Sequence, residues 1–235
     1  EEYFEHGVKL SSLAKLCEKL YVPIENYYLG NFDVVTASTS RINRDVEFTK
    51  LPVGLDMEFF QPKSESILDD MDLERPVIGY SGRLSPEKNI DRAVSLADEF
   101  DGSVVIVGEG PQEEDLEEIA GDNVYFREFL DRKDLPGFYS GLDAFVTAST
   151  GDTLGLSPLE ANACGTPVVA ADNAPFDETI CAENGERFDL EEDESMAGAI
   201  SRALSNNYNC RGAVERYSLS SSINQLEEIY RDLGD

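Results

Sequence analysis

Four short segments carry residue types that could handle a charged, hydroxyl-rich small molecule. Ser81-Gly82-Arg83-Leu84-Ser85-Pro86-Glu87-Lys88 separates an apolar run from an amphipathic one. Gly82 permits a tight turn, and Arg83 and Lys88 then project two cations past the end of the run. Arg grips phosphate through parallel N–H donors and Lys acts as a point charge, so the pair suits a diphosphate. It could equally form a salt bridge with nearby acids, Glu87 among them. The richest segment is Ser149-Thr150-Gly151-Asp152-Thr153-Leu154-Gly155-Leu156-Ser157-Pro158-Leu159-Glu160. It places Asp152 in a loop and Glu160 in the helix that comes next. Gly155 and its neighbours can aim backbone N–H groups at hydroxyls near a helix N-terminus. Carboxylates accept bonds from vicinal hydroxyls, so two of them flanking free amides suit a polyhydroxylated ligand. On the plainer reading Asp152 caps the helix and Glu160 is solvated.

The other two segments are less specific. Gly108-Glu109-Gly110-Pro111 would let the backbone approach a ligand, or would simply make a tight strand-to-helix turn. It lacks the GxGxxG spacing of a nicotinamide-dinucleotide site. Ala161-Asn162-Ala163-Cys164-Gly165-Thr166-Pro167 is small residues and then a helix-ending glycine, which reads as structural.

Regular elements must hold these segments in place. From Pro76 onward, apolar runs alternate with helical patterns. The predicted strands are Val77–Tyr80, Val104–Val107, Val124–Phe126, Ala144–Thr147 and Pro167–Ala170. The predicted helices are 89–100, 112–120, 131–140, 157–164, 192–206 and 218–233. Such alternation predicts an α/β fold, a Rossmann-like parallel sheet with helices on both faces. Ligands of such sheets bind at the carboxyl ends of the strands, where all four segments fall. Upstream, 8–29 reads as a helix that Pro23 either ends or restarts, and Val34–Ala37 and Glu47–Leu51 read as short strands. The implied division is 1–60 as the end of a first domain, 61–75 as a linker, 76–217 as the Rossmann-like domain and 218–235 as a crossover helix.

Composition narrows the classes. Forty-eight acidic against nineteen basic residues give a formal net charge of −29, which repels nucleic acid and anionic lipid. The acids are dispersed and Arg outnumbers Lys, which suggests a surface suited to high salt; an ordinary acidic protein is the alternative. No apolar run approaches the ~20 residues of a membrane helix. Neither a signal peptide nor an initiating Met is present, so the chain is expected to begin inside a longer reading frame. Cys17, Cys164, Cys181 and Cys210 form no CxxC pair, which predicts buried free thiols and no zinc site. The acids Asp69, Asp70 and Asp72 read as a solvated linker cluster.

Taken together, GRLSPEK, GEGP and STGDTLGLSPLEANACGTPVV resemble the family-4 retaining glycosyltransferases of GT-B fold. They occur in the family's order, each after a predicted strand, and the likeness covers roughly residues 31–233. The resemblance implies a donor-binding domain for a UDP- or GDP-linked sugar. Its binding set would be Gly82, Arg83, Lys88, Gly108, Gly110, Asp152, Thr153, Leu154, Gly155, Leu156 and Glu160. Arg83 and Lys88 would hold the diphosphate and stabilise the leaving group, Glu160 the ribose, and Asp152 the donor sugar. Catalytic roles would fall to Arg83, Lys88 and Asp152. Asp152 stands where the family usually has Glu, which leaves the donor sugar open. Neither a metal nor another cofactor would be needed, the nucleotide sugar being a co-substrate. The acceptor would be a glycan or a lipid-linked molecule. It would be held by an N-terminal domain of which only the end is present, so this chain alone is expected to be inactive. His6 could be a remnant of that domain's histidine region, or incidental. The full-length protein would be cytoplasmic, or peripheral to a membrane. A non-catalytic nucleotide-sugar-binding or scaffolding module, and a GT-B epimerase or phosphorylase, are the competing readings.

Overall fold

In the computed structural model, residues 11–39, 45–97, 101–192 and 195–234 are described. They form α1 (Ser11–Leu29), β1 (Thr36–Ala37), β2 (Thr49–Lys50), β3 (Val77–Ser81), α2 (Ile90–Leu96), β4 (Ser103–Val107), α3 (Glu113–Ile119) and β5 (Val124–Arg127). Then come α4 (Leu135–Gly141), β6 (Ala144–Thr147), α5 (Leu156–Ala163), β7 (Val168–Ala171), α6 (Phe176–Thr179), β8 (Gly185–Phe188), α7 (Ser195–Ser205), α8 (Cys210–Val214) and α9 (Leu219–Gly234). Short 3-10 turns cover Pro86–Lys88, Arg132–Asp134 and Glu215–Tyr217.

The predicted α/β architecture is the one observed. Six parallel strands lie in the order β5-β4-β3-β6-β7-β8. The cause is in the strand sequences. Val104, Val105 and Ile106 are wholly buried, as a strand covered on both faces requires. Burying each such side chain is worth roughly 1.5–3 kcal/mol. Chain order runs outward from β3 through β4 to β5, then returns to the other side of β3 at β6. The C-terminal ends of β3 and β6 therefore flank the point where the winding reverses, which opens a crevice.

The sequence missed β8, α6 and α8. β8 is an edge strand with Glu186 and Arg187 at its centre, so it lacks the apolar signature of its neighbours. The chain divides into two compact units, residues 1–54 with 217–235, and residues 55–216. The sheet-bearing unit thus starts at Leu55. Phe60 and Leu68 are buried in it, and the Arg211 guanidinium donates to the carbonyls of Met57 at 2.6 Å and of Phe60 and Ala163 at 2.7 Å. Asp69 accepts a bond from the Ser66 N–H at 2.8 Å.

In the first unit, β1 and β2 pair in parallel, and the Ser222 hydroxyl of α9 donates to the Pro52 carbonyl at 2.6 Å. Pro23 lies within α1, so the helix neither ends nor restarts there. Leu20, Tyr21, Ile24, Tyr27 and Tyr28 of α1 are exposed, as are Leu219, Ile223, Leu226, Tyr230 and Leu233 of α9. His6 lies outside the described residues, as do the ends of the predicted helices at 8–10, 98–100 and 193–194.

All four cysteines are free. Cys164 and Cys210 are buried as expected, and burial pushes their thiols up to about 12 and about 11. Cys17 and Cys181 are exposed, contrary to the expectation, because Cys17 lies on a helix and Cys181 in a turn at the surface. Among the described residues no helix is long and apolar enough to cross a membrane.

Candidate functional site

The loop after β3 and the loop after β6 meet at the crevice. Thr150 N–H donates to the Glu87 carbonyl at 2.9 Å, and the Asn89 amide to the Ala148 carbonyl at 2.9 Å. Asn89 turns the chain there with φ of 47°, a left-handed conformation that Asn tolerates better than most residues. These ties bring Lys88 and Asp152 together, with Lys88 Nζ 2.7 Å from Asp152 Oδ1. Both side chains are partly buried, at 18% and 24% exposure. The salt bridge allowed for at Lys88 is present, but its partner is Asp152 and not Glu87.

Glu87 is engaged elsewhere. The Ser85 hydroxyl donates to its Oε1 at 2.6 Å. Burial works to raise the Glu87 pKa, but the Ser85 and backbone hydrogen bonds and the charges of Lys88 and Arg83 together hold it below the usual value. Arg83 is exposed, and among the described residues it makes no ion pair. Its carbonyl accepts the Tyr80 hydroxyl at 3.1 Å. Burial, with Asp152 and Glu87 nearby, raises the Tyr80 pKa, so the phenol stays a donor.

Glycines 108 and 110 make room for a neighbouring loop. A Cβ on Gly108 would lie 1.8 Å from the Gly82 carbonyl oxygen, and one on Gly110 2.1 Å from that of Leu84. Gly108 also has φ of 142°. The close approach these glycines permit is between the loops after β3 and β4. Hydrogen bonds from Leu84 N–H to the Glu109 carbonyl and from Gln112 N–H to the Leu84 carbonyl fasten them, at 3.0 and 3.2 Å.

Asp152 does not cap α5. Gly155 occupies the N-cap with φ of 72° and no side-chain cap, so the first amides of α5, from Leu156 on, have no side-chain acceptor at the cap. Ligand oxygens can fill that role. Thr153 and Leu156 are exposed beside this terminus, while Leu154 is buried and anchors the loop. At the other end of α5, Gly165 has φ of 92° and its N–H bonds the Asn162 carbonyl at 3.0 Å, the expected helix stop.

Glu160 is half-buried and not solvated. The Tyr139 hydroxyl of α4 donates to its Oε2 at 2.9 Å. Burial raises the Glu160 pKa, while the Tyr139 bond and the Arg132 charge lower it in part. Tyr139 is fully buried, its ring set edge-on to Phe145 at 5.7 Å. Burial and the Glu160 charge push its own pKa far up, so it remains a donor. Sequence reading missed Tyr139. Its only signal was an aromatic on the inner face of the 131–140 helical pattern.

A six-stranded parallel sheet whose winding reverses between β3 and β6 defines a doubly wound α/β class of fold, and comparison narrows it. Residues 69–218 match the family model described as glycosyl transferases group 1. The chain is 30% identical over 192 residues to the GDP-mannose-dependent alpha-(1-6)-phosphatidylinositol dimannoside mannosyltransferase of Mycobacterium tuberculosis, covering 75% of this chain and 50% of that protein. Among solved structures, sucrose-phosphate synthase from Thermosynechococcus elongatus superposes with a TM-score of 0.78 at 24% identity, covering 92% of this chain and 62% of the other. HepE of Anabaena in complex with UDP gives 0.79 at 18% identity, covering 90% and 67%. The chain belongs to the glycosyl transferases group 1 family and has its GT-B type of α/β fold. It spans half or less of the length of the first curated relatives it matches.

Proposed function

We propose that the sheet-bearing unit binds a nucleoside-diphosphate sugar and serves a retaining, family-4 transfer of that sugar to an acceptor hydroxyl. The observation that carries this reading is the placement of Lys88 and Asp152 side by side at the switch point, beside a helix N-terminus with no side-chain cap. Arg83 and Lys88 take the diphosphate. Negative charge grows on the β-phosphate as the glycosidic bond breaks, and fixed cations there lower the barrier directly. Asp152 and the amides around Thr153, Leu154, Gly155 and Leu156 receive sugar hydroxyls, and Glu160 receives those of the ribose. Gly82, Gly108 and Gly110 contribute by setting the loop backbones that present these groups. In this reading Arg83 and Lys88 carry the charge compensation, without a metal or other cofactor.

The sugar departs and is attacked on the same face, which keeps the anomeric configuration. The mannosyltransferase relative is named for a lipid-borne acceptor, which favours an acceptor at a membrane face.

Calorimetric titration with UDP, GDP, UDP-glucose and GDP-mannose tests the assignment. One nucleotide series is expected to bind, and Arg83→Ala and Lys88→Ala should each weaken it at least about tenfold, as for loss of a charge-assisted bond. Unchanged affinity in both variants would refute the diphosphate site.

A further inference from the structure

We infer that Asp152 is a counter-ion for Lys88 that makes the site favour a sugar-bearing nucleotide over the free nucleoside diphosphate. The inference rests on the nucleotide-sugar reading above and adds a device for releasing product.

Four charged groups meet at the crevice, Arg83 and Lys88 against Glu87 and Asp152, and their charges cancel. Their pairing is specific. Ser85 holds Glu87, and Lys88 is within ion-pair distance of Asp152 at 2.7 Å. Asp152 holds one of the three Lys88 donors, so a diphosphate that takes all three must draw the ammonium away from it. The cost of that move depends on the group the diphosphate carries. A hexosyl group brings hydroxyl donors to the vacated carboxylate, so Asp152 exchanges one donor for others. A free nucleoside diphosphate brings none. Its terminal phosphate has also lost an ester, and so bears more negative charge facing the bare carboxylate. A partly buried charge left without a partner is costly, and like charges at close range add to that cost.

Asp152 therefore opposes free diphosphate twice over and opposes the sugar nucleotide less. Once the sugar has left, the most favourable move for Lys88 is back to Asp152, which loosens the product. The loop that carries Asp152 is tied to the loop after β3 through the Thr150–Glu87 backbone bond, which keeps the carboxylate within reach for that return.

The test is the affinity of the whole chain for UDP and GDP, with UDP-glucose and GDP-mannose in parallel, for the native protein and for Asp152→Asn, Asp152→Ser and Asp152→Glu. Both neutral variants should bind the free diphosphate about five- to tenfold more tightly than the native protein, because Lys88 is released and the facing charge is gone. Asp152→Glu keeps the charge and should keep native-like discrimination. Free diphosphate binding that is unchanged or weaker in both neutral variants, with Arg83→Ala still weakening binding, would overturn this inference alone. Failure of the native protein to bind any of the four nucleotides would overturn the function and this inference together.

Discussion

Removing one buried hydroxyl should move the pH at which this site takes up nucleotide. Tyr139→Phe deletes the donor to Glu160 and keeps the ring against Phe60, Phe138 and Phe145. Burial already raises the Glu160 pKa, and the Tyr139 bond is what chiefly opposes it. A hydrogen bond to a charged acceptor is worth about 1.5–3 kcal/mol. Its loss should therefore raise the Glu160 pKa further. Only the carboxylate accepts both ribose hydroxyls, so affinity should fall as pH drops through that pKa. The assay is nucleotide affinity by calorimetry from pH 4.5 to 8, with the midpoint raised above the ordinary carboxylate value for the native protein and higher still for Tyr139→Phe. Glu160→Gln should bind weakly at every pH and show no midpoint. A Tyr139→Phe midpoint that stays put or moves down would refute the assigned roles of both residues.

Folding stability supplies an independent readout of Glu160. A carboxyl with a raised folded pKa contributes stability that is complete below its unfolded value and lost as pH rises through the folded one. The native protein should therefore lose stability relative to Glu160→Gln over that window in urea melts. Gly108→Ala should cost about 2–4 kcal/mol, because the added Cβ meets the Gly82 carbonyl and φ is positive, and thermal melts would show it. Arg211→Ala leaves three carbonyls without their donor and should cost about 2–4 kcal/mol in chemical denaturation. With a net charge of −29, the fold should weaken on dialysis from molar salt into dilute buffer, where screening is lost. An unchanged melting temperature would count against a high-salt surface.

Five of the six sheet strands were legible because each is a short, largely β-branched or aromatic apolar run between helical patterns, and length with flanking residues separates the two. The strand around Gly185–Phe188 was not, since an edge position tolerates the charges of Glu186 and Arg187. Loop positions of Arg83, Lys88, Asp152 and Glu160 followed from the strands, and their roles from the resemblance. Their partners did not follow. Lys88 and Asp152 are 64 residues apart, and only the return of the chain from β5 to β6 makes them neighbours. Tyr139 and Glu160 sit on successive helices whose mutual rotation no local pattern specifies. The GEGP turn read either as an opening toward a ligand or as a tight strand-to-helix turn, and neither reading named the loop its missing side chains admit. Local sequence cannot say which neighbour a glycine admits.

The three carbonyls held by Arg211 bear on how this domain could be cut and recombined. Any graft or truncation made at the first residue of the sheet, Val77, would leave that guanidinium only the Ala163 carbonyl and discard Leu55, Phe60 and Leu68 from the interior. A transplantable donor module should instead begin at Leu55, with the twenty or so residues ahead of the sheet travelling as part of the cargo. Chimeras joined there should exchange nucleotide preference without a loss of solubility, and those joined at Val77 should aggregate.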